Sequence, residues 1–278
     1  MFFNQTTGIQ NLKVPEYLGQ VMFLPPLSEQ QSIASFLDAK TKPIDDIIAK
    51  REQQIALLEE MKSAIISRAV TKGLNPEAKM KDSGIEWIGE VPENWNLLRF
   101  RLLCRISTGD SDTQDAEPDG EYPFYVRSPQ VERSSKFTCE GDAILMAGDG
   151  AGAGRVFHHV DGKYAVHQRV YIFNQFNKVV DSNYLYQFMR IMFPQRMNMG
   201  SAQSTVPSVR LHMIQNFVVP IPSIDEQRTI ASYLDTETAK IDVRIDKRRK
   251  QIALLQEYKQ ALITDAVTGK IDVRGFSS

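Results

Sequence analysis

A long internal repeat constrains the fold of this 278-residue chain more than any other feature. Glu29 and Glu226 are 197 positions apart, and at that spacing 25 of the 43 positions from Glu29 to Thr71 are identical to those from Glu226 to Thr268. The two copies share blocks such as QIALL and AVT without a gap. A repeat of this length specifies a repeated structural unit, so the same element should occur twice.

Each copy has the apolar spacing of a long helix. Apolar side chains recur every three or four residues from Ile33 to Ala69, and the second copy keeps that register from Ile230 to Ala266. A helix with one apolar stripe has to bury it, and the nearest matching stripe is its own repeat. We therefore expect two long antiparallel helices that form a coiled-coil-like rod.

The ends of these helices carry start and stop signals. The predicted start signals are Ser28, with Gln31 in a capping box, and Asp225; the predicted stop signals are Gly73 and Gly269. Pro43 interrupts the first copy, and we expect it to kink the helix or to restart it after Thr41.

The sequence between about residues 78 and 222 has a different texture. Short apolar runs such as YPFYV and YAVHQRVYIF alternate with clusters of Gly, Asp, Pro and Ser, which is typical of a domain rich in short strands. The segment SNYLYQFMRIMFPQRM predicts a helix within it, and Trp87 and Trp95 are predicted core anchors. The expected fold class is α+β, with one mixed α/β domain and two long helices.

The repeat also extends in front of the first helix. The matching pairs are Leu12 with Val209, Val21 with Val218 and Pro25 with Pro222. The first residues are therefore expected to be the tail of a further, truncated domain. Four segments are predicted: the tail at 1–24, the first helical region at 25–73, the complete domain at 74–222 and the second helical region at 223–278.

Composition excludes several classes of protein. The chain has two cysteines, too few for a disulfide framework and without the spacing of a zinc site. It shows neither a leader-like start nor an apolar run of the roughly 18 residues that a membrane span needs, so a cytoplasmic location is expected. The net charge of −1 argues neither for nor against nucleic acid.

A glycine-rich stretch, GDGAGAG, superficially suggests a nucleotide-binding loop. Such a loop should lead into a helix whose N-terminus faces the ligand, but the strand-like run RVFHHV follows here. A glycine hairpin is therefore favoured over a cofactor site. The sequence also lacks a convincing acid-base, metal or nucleophile constellation, which disfavours an independent enzyme.

Several motifs together resemble the DNA specificity (S) subunits of type I restriction-modification systems. They are the PPxxEQ entry at residues 25–30, the IAxxLD that follows, the AVT exit with its glycine, and the GEVPENW opening. The resemblance implies a non-catalytic subunit whose target recognition domains each read one half of a bipartite DNA sequence, while the helices act as a ruler. It further implies modification subunits that bind S-adenosylmethionine and methylate adenine, and a restriction subunit, as partners. No cofactor is expected for this chain itself.

One complete recognition domain is present, so the chain resembles a half-subunit form. One hypothesis is that two copies associate and read a symmetric bipartite site. The alternative is a structural or interaction protein, either a coiled-coil scaffold that does not read DNA or an inactive remnant.

Charge within the recognition domain is uneven along the sequence. Asp110 to Glu121 holds six acids and no base, whereas residues 155–222 hold seven bases and two acids, so DNA is expected to meet the latter half. The predicted DNA contacts are Arg127, Arg155, Lys163, His167, Gln168, Arg169, Gln203, Ser204, Thr205 and Arg210.

Overall fold

The computed structural model describes residues 3–6, 9–12, 14–19, 24–200 and 208–276. The helices are α1 (Val14–Leu18), α2 (Leu27–Lys72), α3 (Ser182–Gly200), α4 (Leu211–Gln215) and α5 (Ile224–Val267). The strands are β1 (Phe3–Thr6), β2 (Ile9–Leu12), β3 (Met80–Asp82), β4 (Glu90–Pro92), β5 (Asn96–Arg99), β6 (Arg105–Thr108), β7 (Tyr122–Tyr125), β8 (Glu132–Ser134), β9 (Cys139–Glu140), β10 (Ala143–Ala147), β11 (Phe157–Val160), β12 (Lys163–Val166), β13 (Val170–Asn174) and β14 (Val218–Ile221). Within the described ranges, no helix combines the length and apolar character that crossing a membrane requires.

The repeat of the sequence is also a repeat of helices. The long helices α2 and α5 begin at Leu27 and Ile224, which are 197 positions apart, and the short helices α1 and α4 occupy equivalent positions at the same spacing. The prediction of two long helices is therefore confirmed. We call two residues at this spacing repeat counterparts.

The helix α2 runs without a break through Pro43, so the predicted restart after Thr41 is wrong. A proline removes a single backbone N–H from the hydrogen-bond ladder. The next residue, Ile44, is buried, and this packing helps to hold the helix together across the proline.

The predicted stop signals are correct, whereas the predicted start signals are not. The helix α2 begins at Leu27, so Ser28 lies inside its first turn and is not the N-cap. The hydroxyl of Ser223 accepts the backbone N–H of Glu226 at 3.3 Å, so Ser223 is the N-cap rather than Asp225. Gly73 and Gly269 have φ angles of +71° and +72°, the left-handed conformation that terminates helices. Both predicted stops are confirmed.

The chain divides into two compact units, and each contains part of both long helices. Unit 1 comprises residues 1–55 and 246–278. In it Lys259 donates to the carboxylate of Asp45 at 2.6 Å, and Nε of Arg248 donates to Gln54 at 2.9 Å. Their order is reversed between the two helices, which are therefore antiparallel here, as predicted.

Unit 2 comprises residues 56–245 and holds the middle domain. It contains two four-stranded sheets, with the strand orders β11-β10-β13-β6 and β8-β7-β12-β9. The first sheet is antiparallel throughout, whereas β12 pairs in parallel with β7 in the second. The helix α3 packs against β10 and β11. The mixed α/β character predicted for this domain is confirmed.

Two tryptophans anchor the core of unit 2, as predicted. Trp95 is fully buried and donates its indole N–H to Oε1 of Glu226 at 3.1 Å. Trp87 stacks on Phe217 with ring centroids 4.9 Å apart. The first contact fastens the start of α5 to the entry of the middle domain.

Candidate functional site

Two arginines converge on one carboxylate just after β10. Nη1 of Arg127 donates to Oδ1 of Asp149 at 3.1 Å, and Nη1 of Arg169 donates to Oδ2 at 2.7 Å. Burial raises the pKa of Asp149, but hydrogen bonds from Arg169 and Arg127 outweigh it and hold the pKa below its ordinary value of 3.8. The carboxylate is therefore ionised at neutral pH, and these three residues, which we call the arginine clamp, carry a net charge of +1.

The glycine-rich turn between β10 and β11 places this carboxylate. The N–H of Gly148 donates to the C=O of Arg169 at 2.9 Å, and a Cβ on Gly148 would lie 2.9 Å from that same oxygen. A Cβ on Gly152 would overlap the C=O of Arg127. Since glycine permits both close approaches, the turn carries Asp149 between the two arginine-bearing segments. The predicted glycine hairpin is confirmed, because β10 and β11 pair antiparallel.

Two further arginines lie on segments that contact or close the same turn. The N–H of Val209 donates to the C=O of Gly148 at 2.8 Å, and Arg210 follows directly. The N–H of Arg155 donates to the C=O of Gly152 at 2.9 Å, at the end of the turn. Both arginines are exposed. The fold therefore brings four of the predicted DNA contacts onto segments around the glycine-rich turn: Arg127, Arg155, Arg169 and Arg210.

His167 is buried, with 3% of its surface exposed. Its Nδ1 accepts the backbone N–H of Arg169 at 3.0 Å, and its Nε2 lies 3.4 Å from Oγ1 of Thr113. Burial and, after it, the charge of Arg127 lower the pKa of His167 below 6.5, so the ring is neutral at pH 7. We therefore correct its predicted role: it fixes the backbone of Arg169 and is not an exposed contact.

The charge separation along the sequence is not a separation in space. Residues 110–121 fold beside the turn that carries Gln168, whose N–H donates to the C=O of Ser111 at 2.8 Å. The side-chain amide of Gln168 donates to Asp112 at 3.2 Å and so has an internal partner. A parallel bridge between Ser111 and His167 joins the two segments, and such long-range pairing has no local sequence signal. Asp112 therefore lies beside the turn that bears Arg169.

The remaining predicted contacts do not join this cluster. Lys163 begins β12, whereas Arg169 follows the other end of that strand, and the ammonium group of Lys163 lies 4.7 Å from the ring centroid of Phe137. Gln203, Ser204 and Thr205 lie outside the described residues.

Asp149 is the site residue that the sequence analysis missed. Its signal was available, because it stands between Gly148 and Gly150 directly after the buried strand β10. A turn built from alternating glycines presents the one charged side chain among them, which here is Asp149. The partners of that side chain come from distant parts of the sequence.

The arrangement suits the binding of polyanions. A guanidinium group carries five N–H donors in a planar fork, and such groups bind phosphate oxygens and guanine edges in pairs of hydrogen bonds. The clamp arginines each direct one Nη1 donor to Asp149. In the part of the chain that the structure describes, no group of three or more His, Cys, Asp and Glu side chains could hold a metal ion.

Comparison with known proteins identifies the family. The family model described as type I restriction modification DNA specificity domain matches residues 92–254, more than half of the chain. The chain is 28% identical over 183 residues to the type I restriction enzyme EcoDI specificity subunit of Escherichia coli, covering 66% of this chain and 40% of that protein. It is 23% identical over 291 residues to the MjaVIII specificity subunit of Methanocaldococcus jannaschii, covering 96% and 64%. Both relatives are specificity subunits, the non-catalytic components of their enzymes.

The chain thus spans only part of the length of these relatives. Solved structures show the same fold. A chain from a study of complex assembly and conformational transition of the type I R-M system matches with a TM-score of 0.64 and 18% identity, over 88% of this chain and 60% of that one. The S subunit of a type I restriction-modification system from M. genitalium matches with a TM-score of 0.52 and 14% identity, over 95% and 67%. With the family model covering more than half of its sequence, this chain belongs to the type I restriction-modification DNA specificity family.

Proposed function

We propose that the chain is the non-catalytic specificity subunit of a type I restriction-modification complex and that its recognition domain reads one half of a bipartite DNA sequence. The observation that carries this proposal is the set of four arginines on the segments around residues 148–155. Attraction to phosphates supplies much of the affinity of such a surface, and arginine forks read guanine edges. The clamp arginines are proposed to contact bases, and Arg155 and Arg210 to contact phosphates.

The first turns of α5 are hydrogen-bonded to the middle domain within unit 2. Gln227 donates its side-chain amide to the C=O of Val179 at 2.8 Å, and Asp235 accepts the amide of Gln187 at 2.8 Å. Between them Ile230 is fully buried in the same core. These contacts fasten the recognition domain to a defined place on the long helix.

The first turns of α2 carry the same residue types in unit 1. The repeat counterparts of Gln227, Ile230, Leu234 and Asp235 are Gln30, Ile33, Leu37 and Asp38. Gln30 and Asp38 are exposed, and Ile33 and Leu37 are partly buried. This duplicated surface supports an assembly with two recognition domains. We propose that a second copy of the chain supplies the second domain, so that the target has two identical, inverted halves.

Two equivalent apolar pairs support docking of two like partner subunits. Leu57 and its repeat counterpart Leu254 are 64% and 65% exposed. One helical turn further along, Met61 and its counterpart Tyr258 are exposed as well, on the same helix face. We propose that each pair receives one adenine methyltransferase subunit, which binds S-adenosylmethionine itself, and that a restriction subunit joins this complex in the cytoplasm.

Co-expression tests this function directly. The chain and its modification subunit are produced in a methylation-deficient host, and adenine methylation is mapped across the genome. A symmetric bipartite motif is expected, and it should disappear when Arg127 and Arg169 are both changed to Ala. An asymmetric motif would contradict the pairing of two identical copies. An absence of methylation with both proteins soluble would contradict the reading role and favour a scaffold or remnant.

A further inference from the structure

We infer that Asp149 is a positioning residue that makes the arginine clamp selective, strengthening binding to the target sequence and weakening binding to all other DNA. The inference rests on the proposed function. It assigns to this carboxylate a role of its own, apart from that of the arginines that touch DNA. Three observations support it: the geometry of the clamp, its charge and its attachment to the backbone.

The geometry of the clamp prepares two guanidinium groups in advance. An arginine side chain has about 2 kcal/mol of rotamer entropy, and part of it is lost whenever the side chain is ordered on a ligand. Because one carboxylate accepts a hydrogen bond from Arg127 and another from Arg169, much of this ordering is complete before DNA arrives. A bidentate contact between either arginine and a base edge then requires a smaller loss of side-chain entropy.

The attachment of Asp149 makes it a firm support. The turn residues on either side of it approach the backbone of both arginine segments, through Gly148 at Arg169 and through Gly152 at Arg127. The Asp149 side chain is only 18% exposed, whereas the side chains of Arg127 and Arg169 are 45% and 62% exposed. The fixed partner is therefore the aspartate, and the arginines take their positions from it.

The charge of Asp149 acts in the opposite direction on unspecific DNA. It cancels one of two positive charges and repels nearby phosphates, so it reduces the attraction that any duplex experiences. At the target sequence, contacts between the pre-positioned guanidinium groups and base edges compensate for the reduced attraction to phosphates. A residue that merely stabilised the fold would instead change binding to both kinds of DNA in the same direction.

Asp142 provides a matched control. It precedes β10, whereas Asp149 follows it, and Asp142 pairs with Nε2 of His159 at 2.8 Å. A strand of five residues is about 16 Å long at roughly 3.3 Å per residue. Asp142→Ala therefore removes the same charge from the other end of the same strand without touching the clamp.

The experiment measures binding of the full-length chain, in complex with its modification subunits, to two duplexes of equal length over a range of salt concentrations. One duplex carries the mapped methylation motif and the other a scrambled version of it. Asp149→Ala should lower affinity for the motif by about tenfold or more. It should raise affinity for the scrambled duplex and steepen its salt dependence by about 0.9 in log–log slope. Asp142→Ala should leave the ratio of the two affinities unchanged.

Two measurements separate selectivity from folding. Asp149→Asn loses the charge but keeps one acceptor oxygen. It should therefore match Asp149→Ala on the scrambled duplex and fall between the wild type and Asp149→Ala on the motif; melting temperatures are recorded for every variant. If both Asp149 variants lose affinity for the two duplexes equally, the residue is merely structural and the inference is wrong. If the wild-type complex does not distinguish the duplexes at all, the proposed function fails, and this inference fails with it.

Discussion

The ammonium group of Lys62 lies 2.6 Å from Oδ1 of Asp242, and their repeat counterparts, Lys259 and Asp45, are joined at the same distance. The first pair belongs to unit 2 and the second to unit 1. Each pair joins one long helix to the other. In the first pair the lysine lies on α2 and the aspartate on α5, and in the second pair this is reversed. Because the two helices are equivalent and antiparallel, the repeated sequence specifies the same contact twice.

Removing the Lys62–Asp242 ion pair should lower stability slightly, and a pair with the two charges exchanged should restore it. Lys62→Met should lower the free energy of unfolding by about 1 kcal/mol or less, because the pair is partly exposed, and the melting temperature by about 2–4 °C at most. The exchange Lys62→Asp with Asp242→Lys should recover the loss. A double exchange no more stable than the single variants would show that the ion pair does not contribute.

Gly73→Ala should destabilise the chain more than Gly84→Ala. Both glycines have left-handed backbones, with φ of +71° and +68°, so both substitutions carry a strain of about 1 kcal/mol. At Gly73 the added Cβ would also lie 3.2 Å from Trp95 and 3.3 Å from Glu226, whereas nothing lies within 4 Å at Gly84. Urea unfolding measures the difference. Equal losses would mean that the Trp95–Glu226 pair shifts aside without cost.

Gly152→Ala should weaken DNA binding, and Gly120→Ala should not. The added Cβ would overlap the C=O of Arg127 in the first case and the backbone of Ser134 in the second. Both substitutions therefore strain the fold, but Gly152→Ala also displaces one arm of the arginine clamp. Affinity for the mapped motif is measured at a temperature where both variants are folded. Similar affinities would contradict the placement of DNA at the clamp.

Acidification below about pH 6.5 should lower the free energy of unfolding. Burial is the main cause that lowers the pKa of His158 and His167 below 6.5 in the folded chain; a backbone hydrogen bond with Ser128 partly opposes it at His158. As the pH falls through 6.5, the unfolded chain takes up protons that the folded chain does not, so stability is complete above that pH and is lost until the folded-state pKa values are reached. Urea unfolding between pH 7.5 and 5 measures the slope. His158→Gln and His167→Gln should each flatten it, and an unchanged slope in both would contradict this account.

Leu57→Asp and Leu254→Asp should each remove one modification subunit from the assembly. The two leucines are repeat counterparts with equal exposure, so each substitution should reduce the number of modification subunits per chain from two to one in native mass spectra. Val243→Asp is the control, since Val243 is 69% exposed but its repeat counterpart is Asp46. Loss of both subunits in either single variant would contradict independent docking.

The helical framework follows from local patterns in the sequence. The 197-residue spacing and the recurrence of apolar residues every three or four positions predicted α2 and α5, and Gly73 and Gly269 predicted where they end. These features are readable because helical periodicity and termination depend on residues that are close in sequence. The sequence does not predict that α2 continues through Pro43, because this continuity depends on packing around the helix.

The set of side chains that forms the clamp follows from tertiary packing and not from local sequence. Arg127 and Arg169 lie 22 and 20 positions from Asp149 and reach it through strand pairing and the close backbone approaches of two glycines. The same pairing buries His167 and brings Asp112 beside Gln168, although the sequence suggested exposed contacts and a separate acidic segment. Strand partners are distant in sequence and leave no local pattern, so the electrostatics of the site follow from the fold and not from the order of charges along the chain.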